Sequence, residues 1–199
     1  MPTTGAAAAR GGCWVTVTAN ADNTENVRDT APGGAASSEV RALLRSLDGQ
    51  RRHVLDTLDG LAARDLRRPV LPSGWHCLGL VQHLTLDVER FWFRAVVAGD
   101  EEVIRALPSG DEAWRVAPEV PAGDVLDRYR REAELADALI TVTPADAAPA
   151  WWPRDLFGEP HLHTLRDVLL HVITETACHV GHLDAVRELI DGRRRLVLT

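Results

Sequence analysis

The stretch Glu175-Thr176-Ala177-Cys178-His179-Val180-Gly181-His182 places carboxylate, thiol and imidazole groups inside a long helical pattern late in the chain. Glu175 and His179 are four residues apart, so on a helix their side chains are neighbours on one face. One carboxylate oxygen and one imidazole nitrogen can then reach a single metal ion. His83, flanked by Leu80, Val81, Leu84 and Leu86 in an earlier helical pattern, offers a third donor from across a core. Three protein donors of His₂Glu type leave one coordination position open, as catalytic zinc sites do. The same set with more open positions suits non-haem iron. Ligands near 2 Å from one ion place their donor atoms about 3–4 Å apart, so the three side chains must converge to that spacing. Each has a plainer explanation. A single His among apolar helix residues is more often a hydrogen-bonded core histidine, and an i,i+4 polar pair often sits in solvent. The case for a site rests on clustering on a face that must be buried, where unpaired polar groups are costly.

At about 100° per residue, His171, Glu175, Cys178, His179 and His182 fall within roughly a third of the helix circumference. Val168, Val186 and Leu189 share that sector, while Leu165, Leu169, Val172, Ile173, Val180 and Leu183 lie to one side and supply packing. His171 and His182 are the candidate catalytic groups, moving protons or holding a polar substrate group. They serve equally as outer hydrogen-bond partners of the ligands or as solvated histidines. Cys178 reads as structural, because buried thiols are usually inert.

The elements that must position these groups are all helical. Val40, Leu43, Leu44, Leu47, Val54, Leu55, Leu58 and Leu61 recur at helical spacing behind a Ser37 or Ser38 cap. Pro69, Pro72 and Gly74 mark a turn, and a second helix is predicted from about His76 to Ala98, ending at Gly99. A long Pro- and Gly-containing connection leads to a third helix from about Asp124 to Thr141. A Pro- and Trp-rich segment, Pro144 to Pro160, precedes a fourth helix that starts at Thr164, with Asp167 as a capping-box partner, and ends at Asp191-Gly192. The expected fold class is all-α, a four-helix bundle with long connections. Such bundles build metal sites from side chains on facing helices. Residues 37–199 form the expected bundle domain and residues 1–36 a disordered leader, in which Cys13 to Thr18 alternates like a short strand.

Composition narrows the function classes. The net charge of −7 argues against sequence-independent nucleic-acid binding. No apolar run approaches the roughly 18 residues of a membrane span. Cys13, Cys77 and Cys178 give neither a disulfide framework nor a CxxC zinc motif, which fits a reduced cytoplasmic protein. All 22 basic residues are arginine, which removes lysine as a Schiff-base nucleophile. Trp75 and Trp92, with Trp151 and Trp152, are candidates to wall an apolar cofactor pocket, with core and loop anchoring as the alternative.

Two motifs carry a family likeness. Ser73-Gly74-Trp75-His76-Cys77-Leu78-Gly79-Leu80-Val81-Gln82-His83-Leu84, followed by Val88-Glu89-Arg90-Phe91-Trp92-Phe93-Arg94, resembles the second helix of the DinB/YfiT-like superfamily, nearest an actinobacterial branch (DUF664). Thr164 to His182, continuing through Asp191-Gly192, resembles its fourth helix. The resemblance spans about residues 38–192. It implies a four-helix bundle holding a divalent metal, zinc or nickel, on three side chains, which map to His83, Glu175 and His179. Glu175 in place of the commoner His is similar to the N-terminal domain of mycothiol-dependent maleylpyruvate isomerase, although no separate C-terminal domain is recognisable here. The implied activity is a metal-dependent, mycothiol-type S-transferase acting on a small electrophile. A non-catalytic metal or small-molecule binding protein and a metal-dependent hydrolase are the alternatives. The expected cofactors are a divalent metal, with zinc ahead of nickel and iron, and mycothiol as thiol co-substrate. The expected partners are that thiol and the electrophile, with no nucleic acid and no membrane; a homodimer is left open.

Overall fold

The computed structural model describes residues 36–108 and 110–195. Helix α1 (Ser38–Leu58) begins where the Ser37 hydroxyl accepts from the Val40 N–H at 3.1 Å. Such a cap satisfies one of the donors that a helix start leaves free. Val40, Leu47, Val54 and Leu58 are buried along one face. A short helix, α2 (Ala63–Leu66), leads to α3 (Cys77–His83), whose first turn is capped by the His76 ring accepting from the Gly79 N–H. The rod continues past His83 as a π-type segment, Leu84–Val97, in which Leu84, Val88, Phe91, Trp92, Phe93 and Val96 are buried.

Two more short pieces fill the next connection: α4 (Glu101–Arg105), capped by Asp100, and a 3₁₀ turn, Glu112–Trp114. Then come α5 (Ala122–Val142), the single turn α6 (Arg154–Phe157) and α7 (Leu165–Asp191). Thr164 and Asp167 form a reciprocal capping box at the start of α7. Gly192, with φ 77, closes its end in the left-handed conformation that glycine adopts without strain.

The four long rods pack in a ring. α1 lies on α7, α7 on the π-type segment, that segment on α5, and α5 on α1. Among the described residues there is no strand, and the all-α bundle expected from the periodicity is what forms. Ala36, at the edge of the expected leader, packs against the core; the rest of that leader and its alternating stretch lie outside the described residues.

The connections hold more structure than the pattern predicts. α2, α4, α6 and the 3₁₀ turn are too short to show a period. The Trp-rich segment is pinned by backbone: Ala150 N–H donates to Val97 O at 3.2 Å and Trp151 N–H to Val96 O at 3.1 Å. These carbonyls sit at the end of a helix and need partners from outside it. One core feature is ionic. The Arg51 guanidinium makes a fork of 2.7 Å bonds to both Glu89 oxygens and reaches Asp137 at 2.6 Å and Asp48 at 2.9 Å.

Candidate metal centre

His83 arrives on the last turn of α3, and Glu175 and His179 face it from the middle of α7. Among the described residues, these three form a group whose donor atoms all lie within 4.8 Å of one another. His83 Nε2 is 3.7 Å from Glu175 Oε1. That is too long for a hydrogen bond and within the spacing that two ligands of one ion require.

The hydrogen bonds around the cluster decide which atoms are free. His83 Nδ1 lies 3.0 Å from Asp87 Oδ2, one turn further along. A carboxylate only accepts, so Nδ1 carries a proton, and the Nε2 lone pair of the neutral ring points into the cluster. That Nε2 is buried without a hydrogen-bond partner, and so are both ring nitrogens of His179. Buried polar atoms are normally satisfied. The unpartnered Nε2 of His83 and one ring nitrogen of His179, beside one carboxylate, fit a cation. A carboxylate with two imidazoles is also a donor set that zinc accepts.

Electrostatics favour Glu175 and His179 as ready donors, while His83 must give up its Nε2 proton to bind. Burial works to raise the Glu175 carboxyl, but the close contact of His171 and the charge of His171 and His83 outweigh it and hold the group down at about 2. Burial, with the charge of His83, pushes His179 down to about 4. His179 is therefore neutral at pH 7, with a lone pair to give. Burial lowers His83, yet its bond to Asp87 and the charges of Asp87 and Glu175 prevail and raise it.

Aromatic rings enclose the three donors. The Trp114 ring stacks on His83 with centroids 4.2 Å apart and planes at 14°, and it lies 6.0 Å from His179. Sequence periodicity gives no hint of Trp114, which sits in the 3₁₀ turn. Its approach depends on Gly79, because a Cβ there would meet the Trp114 carbonyl oxygen at 2.6 Å. Asp87 was equally absent from the expected set, although its i,i+4 spacing from His83 is the signal that finds it.

The other candidates divide into two groups. His171 Nε2 is 3.2 Å from Glu175 Oε2, and its ring meets Trp92 at 4.6 Å. Trp92 is buried among Phe91, Trp152 and Phe157, with Trp151 against Phe91. On the other side His182 is exposed, 5.7 Å from the His179 ring and 6.3 Å from Trp75. The tryptophans thus stand in two places beside the cluster. Cys178 is half-buried next to His179. Leu189 corrects the expected sector, since it is 58% exposed while Val168 and Val186 are buried. On α7 it lies about 80° around the helix from His179, at the solvent edge.

Comparison with known proteins gives one family. The model of the family described as Mycothiol-S-transferase matches residues 42–192. No curated protein and no solved structure matches the chain. The family match runs from the first turns of α1 to the glycine that ends α7 and takes in all three donors, well over half of the sequence, and the chain belongs to the mycothiol-S-transferase family.

Proposed function

We propose that this protein is a metal-dependent S-transferase that joins mycothiol to a small electrophile, working in the cytoplasm. The observation that carries this is the convergence of His83, Glu175 and His179, with a buried, unpartnered nitrogen on each of the two imidazoles. Zinc fits the donor set best. A divalent cation supplies Lewis acidity that keeps a coordinating thiol ionised near neutral pH.

The chain's own groups do the rest. Glu175 places one negative charge among the ligands. Asp87 keeps the proton of His83 on Nδ1, away from the cluster. Trp114 covers the His83 face and excludes water from it. Attack forms a sulfur–carbon bond at the electrophile, and the leaving group departs with the electron pair of the bond that breaks. The thiol proton goes to solvent or to His182, which stands exposed beside His179. In this reading Trp75, beside His182, contacts the thiol cofactor or the electrophile, and Trp92 acts through His171; their ring contacts support it.

The test has two parts. Protein purified without added metal should carry close to one equivalent of a divalent ion, and His83→Ala should carry far less. A bimane or dinitrophenyl electrophile mixed with mycothiol should be conjugated faster with protein than without it. Equal rates would remove the transferase assignment, and equal metal content in the variant would remove the site.

A further inference from the structure

The geometry points to His171 as a positioning residue whose Nε2–H holds Glu175 so that only one carboxylate oxygen faces the cation. This rests on the metal reading of the cluster and goes beyond it, because it concerns how an open coordination position is kept.

The two imidazoles flanking the ligands on α7 have different surroundings. His182 is exposed, and its nearest ring partners are His179 and Trp75. His171 sits one turn before Glu175 and reaches Oε2 at 3.2 Å. The other oxygen, Oε1, is the one turned toward His83 Nε2, at 3.7 Å. The carboxylate is thus divided, one oxygen tied to a donor and one left for the cluster. The His171 ring cannot easily swing away. Trp92 meets it edge to face at 4.6 Å, and Trp92 is itself stacked on Phe157 at 5.8 Å and 11°.

A carboxylate free to rotate can bind a cation through both oxygens. Here that would turn three protein donors into four and fill the position a thiol needs. A hydrogen bond to the second oxygen prevents this and fixes the torsion of the first. The role parallels that of Asp87 on His83, where a bond to the remote atom of a ligand settles which atom ligates. The site is oriented from both rods, by Asp87 on the π-type segment and by His171 on α7.

Cobalt(II) and zinc titrations of the full chain test this, using wild type, His171→Phe and His171→Gln. The Phe variant keeps a ring against Trp92 and removes the donor. The Gln variant returns an N–H at similar reach. The expected result for Phe is a loss of about 10–100-fold in affinity, with weaker cobalt d–d absorption as the ion gains a donor. Gln should restore most of the affinity and the wild-type spectrum. Circular dichroism of the metal-free variants checks the fold, and His171→Leu replaces Phe if that variant does not fold. A donor-free variant with wild-type affinity and spectrum would overturn the role of His171 alone. So would a Gln variant no better than Phe, which would leave ring packing as the whole effect. A wild type that binds neither ion would overturn the metal site and this inference together.

Discussion

At the scale of single residues, the site is a problem in leaving polar atoms unpaired on purpose. Most buried imidazoles find partners, yet His179 has none at either nitrogen and His83 has one of two. Glu175 is what makes this tolerable, since its charge is held by His171 and His83. Glu175→Gln keeps the shape and removes the charge. Outer partners of metal ligands alone are worth 10–100-fold in affinity, so this change should weaken zinc binding by more than about 100-fold. A competition titration with a chromophoric chelator reads it, and a value within tenfold of wild type would contradict the assignment. Glu175 and His179 were legible because i,i+4 spacing is a geometric fact about helices. His83 was legible because a polar group among Leu80, Val81 and Leu84 needs a reason. Trp114 was not legible. A three-residue turn has no periodicity, and its place over His83 is set by tertiary contact alone.

At the scale of elements, two features decide how the rods meet. The first is Arg51, which crosses from α1 to Glu89 on the π-type segment and Asp137 on α5. Removing one partner of a buried pair leaves the other uncompensated, so Arg51→Met should cost about 3–5 kcal/mol. The double change Arg51→Met with Glu89→Leu should recover most of that. The pH dependence has a definite sign. Burial already raises the Glu89 carboxyl and Arg51 opposes it. Without Arg51 the folded state holds that proton still more tightly than the unfolded chain. Stability of the variant therefore falls as pH rises above the ordinary carboxyl range, and its deficit against wild type should narrow from pH 8 to pH 5.5. Urea unfolding at both values measures this; an unchanged deficit would show that Glu89 is not the group responsible.

The second feature is Gly79. In an exposed helix interior Gly→Ala gains up to about 1 kcal/mol. Here the added Cβ meets a backbone oxygen of the Trp114 turn at 2.6 Å, and backbone does not give way as a flexible side chain does. Overpacking typically costs about 1–3 kcal/mol, so Gly79→Ala should be destabilising in urea unfolding and should weaken zinc binding by shifting the turn. A stabilised variant would mean the turn moves freely. Sequence could place Gly79 in a helix but could not say what pressed against it. The same limit hid α2, α4 and α6, whereas α1, α5 and α7 were long enough for their apolar spacing to speak. The second rod read as one ordinary helix because π-type and α-type segments bury similar runs of apolar residues.

At the scale of the whole molecule, the donors come from two rods far apart in sequence, and the ring of packing closes through both. An ion that binds only the folded chain therefore stabilises the entire bundle. At a free zinc concentration 1,000 times Kd the gain is about 4 kcal/mol. For a chain of this size that corresponds to a rise in Tm of roughly 10 °C. Thermal unfolding with zinc and with a chelator should differ by that amount in wild type, and the difference should vanish in His179→Ala. A persistent shift in the variant would place the zinc elsewhere. Among the described residues no helix is long and apolar enough to cross a membrane.

The indole lying flat on His83 has an optical consequence. Trp114 touches both imidazoles of the cluster, one by stacking and one at its edge. A change in protonation or charge at those rings alters the excited state of the indole beside them. Intrinsic fluorescence should therefore follow loading and emptying of the site in real time, on unlabelled protein and with a colourless ion. Stopped-flow emission could then separate the arrival of the cation from the arrival of a thiol, two events that an endpoint metal assay merges.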